Sequence, residues 1–164
     1  VDSVRPRILT ESTKLILQEA VDTFRKSTSA VRCEVRIDLD YDTHLSLPAN
    51  DALYRIVRGA LQNVKEHAQA TEVRIQAHIR DGKVIVSIED NGVGLARAHS
   101  LTRTELVKER HFGIQFFYDY AASAGGVCRV GPARSGGTSV EIILPTLQTP
   151  LTSLSGSVLM APRG

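Results

Sequence analysis

Three short segments carry residues whose types and spacing could do chemistry. In LYRIVRGALQNVKEHA (53–68), Asn63 and His67 lie four apart. On a helix they share one face, with Gly59 one turn earlier. An Asn there offers an amide oxygen to a hard cation such as Mg2+, and a His offers an imidazole donor to a phosphate. A surface Asn–His pair on an amphipathic helix has the same spacing. In EDNGVGL (89–95), Asp90 precedes two glycines, Gly92 and Gly94, directly after an apolar alternation. A partly buried carboxylate at a strand end can accept from a ligand amine, and glycines permit close backbone approach. A Gly-rich turn with a capping Asp reads the same way. In ERHFGIQFFYDYAASAGG (109–126), Gly113 opens a helical pattern, and a helix N-terminus can hold an anion. No helix begins at Gly94, so this is no dinucleotide fingerprint, and the chain has no G-x-x-x-x-G-K-[ST] loop.

These residues must be positioned by regular elements. Ile16, Ala20 and Phe24 recur every four residues, predicting a helix from Leu9 with Thr10 or Ser12 as N-cap. Val31, Cys33, Val35, Ile37 and Leu39 alternate, which predicts a half-buried strand. Residues 40–50 read as a loop, and a second helix follows over about 51–69, capped by Asn50 or Asp51. Alternation at 73–79 and 84–88 flanks Asp81-Gly82, a strong hairpin signal. Residues 96–112 are charged and weakly patterned, which suggests a mobile loop. A third helix over 114–124 stops at Gly125-Gly126. Strands near 127–131 and at Val140, Ile142 and Leu144 flank a glycine turn at SGGT (135–138).

The expected fold class is α+β: a two-layer α/β sandwich with a mixed, mostly antiparallel sheet and helices packed on one face. The expected organisation is the end of an upstream linker or helix at 1–8, one domain at 9–145 and a flexible tail at 146–164. Val1 in place of Met suggests a piece of something longer.

Composition narrows the classes. The 164 residues are 42% hydrophobic and 23% charged, an ordinary globular mix that excludes a disordered chain or a fibre. Net charge is +2, so no broad nucleic-acid or membrane footprint is expected. No apolar run approaches a membrane span. Cys33 and Cys128 match no metal-ligand spacing and read as two buried thiols in a reducing compartment.

Taken together and in this order, the segments resemble the ATP-binding catalytic domain of sensor histidine kinases, the Bergerat-type fold shared with gyrase, the ninety-kilodalton heat-shock chaperone and the mismatch-repair ATPase. The wording is most similar to the nitrate-sensor-like subfamily, L-Y-R-I-x-x-E-A-L-x-N-x-x-K-H-A, and covers about residues 5–145, Arg5-Pro6 included. The resemblance implies ATP and Mg2+ as ligands. It places Mg2+ on Asn63, a phosphate-side role on His67 and recognition of the adenine amino group on Asp90. Gly92 and Gly94 match the first glycine box. His111-Phe112-Gly113-Ile114 looks like the second, at the end of a lid, and Thr138 supports the adenine site.

Three positions depart from the pattern. The subfamily's glutamate, four before the asparagine, is Gly59; its lysine is Glu66; the first glycine of the second box is Arg110. A mid-helix glycine costs about 0.5–1 kcal/mol against Ala, and Gly59 has no evident folding rationale in the sequence. In hydrolytic relatives that carboxylate activates water, so no catalytic side chain is expected on this helix and water attack should suffer. A neutral imidazole already holds a lone pair, so positioning and charge neutralisation dominate its phosphorylation.

The resemblance therefore implies a cytoplasmic protein-histidine kinase domain that modifies a histidine on an upstream dimerisation helix. None of the five histidines falls within residues 1–43. Implied partners are those upstream helices, a response regulator and a second subunit of the parent, with no nucleic acid and no direct membrane contact. The alternative is a degenerate regulatory module of the same fold.

Overall fold

In a computed structural model of the chain, residues 12–66, 68–94 and 112–147 are described. Helix α1 (Thr13–Ser27) starts where the Ser12 hydroxyl accepts from the Leu15 amide at 3.3 Å. Of the two expected caps Ser12 is the observed one; Leu9 and Thr10 lie outside the described residues. The helix buries Ile16, Leu17, Ala20, Val21 and Phe24, the stripe that the four-residue spacing predicts.

Strand β1 (Arg32–Asp38) leads through residues 39–46 to helix α2 (Leu47–Glu66). This helix begins four residues before the expected start at 51, and neither Asn50 nor Asp51 caps it. The Ser46 hydroxyl accepts from the Ala49 amide at 3.2 Å instead. Pro48 reads as a loop residue in the sequence, yet in a first helical turn it lacks only an N–H that has no intrahelical partner anyway. Asn50 is a buried helical residue whose Oδ1 has no partner among the described residues. The helix also ends before the expected 69, because Gln69 takes the left-handed φ of 53°.

Strands β2 (Glu72–Arg80) and β3 (Lys83–Asp90) form the expected hairpin. Asp81 and Gly82 both have positive φ, 53° and 71°, as the tight two-residue hairpin turn requires. Helix α3 (Phe112–Ser123), β4 (Val127–Pro132) and β5 (Thr138–Pro145) are the remaining described elements. The third helix starts two residues earlier than its apolar pattern suggests.

The five strands run in the order β1-β2-β3-β5-β4. β1 and β2 are parallel, joined by α2 as the crossover, and every other pair is antiparallel. The three described helices cover one face, with Leu53, Ile56, Val57, Ala60, Leu61 and Val64 of α2 against Val73, Ile75, Val86, Ile88 and Ile142 of the sheet. Each such buried aliphatic side chain contributes about 1.5–3 kcal/mol. This is the expected mixed, mostly antiparallel two-layer sandwich.

The far side of the sheet carries ion pairs, Arg74 with Glu34 and Arg129 with Glu141 among them. Thr146 closes the described chain by donating from its amide and hydroxyl to the Gly82 carbonyl. Cys128 is buried but Cys33 is only half-buried, against the expectation of two buried thiols. β1 is an edge strand of the described sheet, so among the described residues its inward side chains are covered from one side only. No described helix is long and apolar enough to cross a membrane.

Candidate functional site

Asp90 is the last residue of β3, and strand alternation turns its side chain toward the helix layer, where it is 5% exposed. A buried carboxylate needs hydrogen bonds to offset its desolvation. Oδ1 accepts from the Gly92 amide at 2.8 Å and the Thr138 amide at 3.3 Å. Oδ2 takes no hydrogen bond from any described residue. One oxygen is therefore fixed by the backbone while the other stays available to a donor.

The glycines explain how the chain gets this close. A Cβ on Gly92 would run into the Ala68 carbonyl, and one on Gly137 into the Asp90 backbone and carboxylate oxygens. Gly94 has φ +79°, and its Cβ would sit 2.7 Å from the Gly136 carbonyl oxygen. The first glycine segment and the SGGT turn are thus pressed together around Asp90. Ser135 adds a hydroxyl hydrogen bond to the Asp90 carbonyl at 2.9 Å. Thr138 joins through its backbone amide.

Sequence reasoning missed Gly137 and Ser135 as parts of this cradle, although the glycine pair before Thr138 was the available signal. It also missed Asn91. The Asn91 Oδ1 accepts from the Thr71 and Glu72 amides, both at 3.0 Å, and its Nδ2 donates to the Thr71 hydroxyl at 2.9 Å. The Val93 amide bonds the Ala68 carbonyl at 2.7 Å. The loop after β3 is therefore tied to the chain leaving α2, so the two ends of the site share one support.

Asn63 lies one turn from the end of α2, half-buried, and its carboxamide makes no hydrogen bond to a described residue. Such a free amide oxygen fits a hard cation. Among the described residues no three His, Cys, Asp or Glu gather as a metal cage. Gly113 is the second residue of α3, and a Cβ there would meet no described residue within 4 Å. Ile114 is half-buried against the core. His67, His111, Arg110 and most of the expected lid, 95–111, lie outside the described residues.

Gly59 does have a folding rationale. A Cβ there would stand 2.6 Å from Cε1 and 3.0 Å from Cζ of Phe117. Phe117 projects from α3, is 3% exposed and belongs to the core. The glycine lets this ring lie on α2. Glu66 turns toward Gln62, one turn back along α2, and accepts from its amide nitrogen.

The chain is similar to several known proteins. A family model for histidine kinase-, DNA gyrase B- and HSP90-like ATPases matches residues 48–148. The sensor histidine kinase LiaS of Bacillus subtilis is 30% identical over 132 residues, covering 79% of this chain and 33% of that protein. The nitrate/nitrite sensor NarX of Escherichia coli is 33% identical over 109 residues, covering 65% of this chain and 17% of its own length. The chain thus spans about a third or less of these relatives. Among solved structures, the ATP-binding domain of PrrB from Mycobacterium tuberculosis superposes with a TM-score of 0.61 at 22% identity. That match covers 80% of this chain and 91% of that one, and shows the fold. A matched span that holds the α2 asparagine, the Asp90 cradle and the SGGT turn places this chain in the histidine kinase-, DNA gyrase B- and HSP90-like ATPase family.

Proposed function

We propose that this chain is the ATP-binding catalytic domain, residues 9–145, of a cytoplasmic two-component sensor histidine kinase. It passes the γ-phosphoryl group of ATP to a histidine on a dimerisation helix outside these 164 residues. The observation that carries this reading is Asp90, with one oxygen held by two backbone amides and the other free. An adenine amino group is the donor that this free acceptor suits. Bound Mg2+ supplies charge neutralisation of the triphosphate.

The chain's own residues do the rest. Asn63 presents its amide oxygen to the cation, and the motif gives His67, outside the described residues, the phosphate-side role. Gly92, Gly94 and Thr138 keep Asp90 in place. His111, Gly113 and Ile114 end the lid and present a helix N-terminus to an anion. With Phe117 against Gly59, no carboxylate stands one turn before Asn63. An imidazole nucleophile needs no base to make its lone pair available, whereas water does. The parent acts as a dimer and hands the phosphoryl group to a response regulator.

Calorimetric titration with ATP tests the binding step. Asp90→Asn is near-isosteric, and its amide oxygen can still accept from Gly92 and Thr138. It then presents an NH2 to the adenine amine. A donor facing a donor costs about 2 kcal/mol, roughly 30-fold in Kd. Unchanged affinity in a folded variant sinks the assignment. Transfer is tested in the parent with radiolabelled ATP; an unlabelled upstream histidine removes the kinase reading.

The degenerate-module reading draws on the same Gly59–Phe117 contact together with Glu66 near the site. Micromolar, Mg2+-dependent ATP affinity argues against it.

A further inference from the structure

β1 forms one edge of the described sheet and pairs only with β2. The Arg32 amide points to β2, donating to the Thr71 carbonyl at 2.8 Å. Strand alternation then turns the N–H and C=O groups of Cys33, Val35 and Ile37 outward. The Cys33 carbonyl does face outward, where it accepts from Arg25 Nη2 at 2.9 Å. A hollow of about 520 Å3 is lined by Arg25, residues 32–36 of β1 and, from β2, Arg74 and Gln76. An open edge with free backbone groups is a template for another strand.

The strand reads Arg-Cys-Glu-Val-Arg-Ile-Asp, with Arg32, Glu34, Arg36 and Asp38 on the open face of the sheet. Centred on Val35, this charge order is its own complement when the strand is reversed. An antiparallel pair of two such strands, with Val35 opposite Val35, sets Arg36 against Glu34 and Arg32 against Asp38, each twice. The outward groups of Cys33, Val35 and Ile37 then face one another, as antiparallel hydrogen bonding demands. Registers shifted by two residues put Glu34 opposite Glu34 or Arg36 opposite Arg36, and like charges directly opposite are destabilising. Arg36 and Asp38 are exposed and have no ion pair among the described residues.

We infer that the free edge of β1 docks a second copy of this chain, in that one register, to make a two-fold ten-stranded sheet. Such an interface is isologous, with the same patch used by both copies. Arg25 covers the Cys33 carbonyl in the single copy and must swing aside, so it tunes the contact. Seven-residue strands make a small interface, and a parent dimerised elsewhere would raise the effective concentration. The inference does not depend on the nucleotide reading.

Sedimentation equilibrium of the 164-residue chain tests it, over about 10 µM to 1 mM because small interfaces bind weakly. The expected result is a concentration-dependent dimer, with slowed amide exchange at Cys33, Val35 and Ile37. Glu34→Arg and Arg36→Glu should each weaken the dimer at least 10-fold, since symmetry doubles every clash. The double variant E34R/R36E should restore it, and Arg25→Ala should strengthen it. A chain that stays monomeric at 1 mM overturns the inference, whether or not a Glu-rich strand peptide or an oligonucleotide binds the arginines instead. So does a dimer indifferent to the single reversals or unrescued by the double.

Discussion

Replacing Gly59 by Ala separates two opposed effects. In an exposed helix interior, Ala is favoured over Gly by about 0.5–1 kcal/mol. Here the new methyl would lie 2.6 Å from Cε1 of Phe117, well inside van der Waals contact. The ring is 3% exposed and packed in the core, so it has little room to retreat. Overpacking of this kind costs about 1–3 kcal/mol. The net expectation is a loss near 1 kcal/mol, or a fall of about 3 °C in Tm for a chain of this size. Urea unfolding and calorimetry of wild type, Gly59→Ala, Phe117→Leu and the double variant measure it. Phe117→Leu carries its own cavity cost, but in that background Ala at 59 should become neutral or stabilising. The cycle should give a coupling of about 0.5–3 kcal/mol. A Gly59→Ala protein more stable than wild type, with no coupling to position 117, would refute the reasoning. Gly59→Glu meets the same ring with a larger side chain and should be less stable still.

Gly137→Ala should remove nucleotide affinity, because its methyl would collide with the Asp90 oxygens; ATP titration beside circular dichroism checks it, and wild-type affinity counts against the cradle. Ser46→Ala deletes the α2 cap and should cost about 1 kcal/mol in urea unfolding, while Asp51→Ala should show no capping loss. Burial, with Glu141 adding to it, pushes the Cys128 thiol from 9.0 up to about 12. The folded state then keeps a proton that the unfolded chain releases above about pH 9, so stability should be flat below that pH. It should fall toward pH 12 by at most about 1.4 kcal/mol per pH unit. Urea midpoints from pH 8 to 11 should show a shallower slope in Cys128→Val than in wild type, the remainder coming from Cys33 and Tyr118, which burial also pushes up; equal slopes would argue against it.

Much of the architecture was legible because it rests on local rules. The four-residue spacing in α1, the strand alternations and Asp81-Gly82 each name their element from nearest neighbours alone. The fold class follows from their order, and the resemblance to the family from the motifs set between them. Legibility failed where a residue has two local meanings. Pro48 is both a loop former and a first-turn helix residue, and only the Ser46 cap beside it decides between them. Asn50 is a good cap by type, yet it is buried inside the helix. In the site, Asp90, Gly92, Gly94 and Thr138 could be named from their motifs. The reason for them could not, because the contacts run from 90 to 137–138 and from 92 to 68.

The sequence alone determined the element order and the two-layer fold, since period and turn chemistry are properties of neighbouring residues, and its motifs carried the resemblance to the family. It also displayed the self-complementary charges of β1, without showing that this strand lies at an edge. Tertiary structure alone decided that β1 runs parallel to β2, that Gly137 crowds Asp90, and that Gly59 makes room for Phe117. The physical reason is common to all three. A residue's meaning there depends on atoms tens of positions away, and only packing at close range brings them within a few ångströms. In the sequence Gly59 is a missing glutamate; in the fold it is a surface on which an aromatic ring rests.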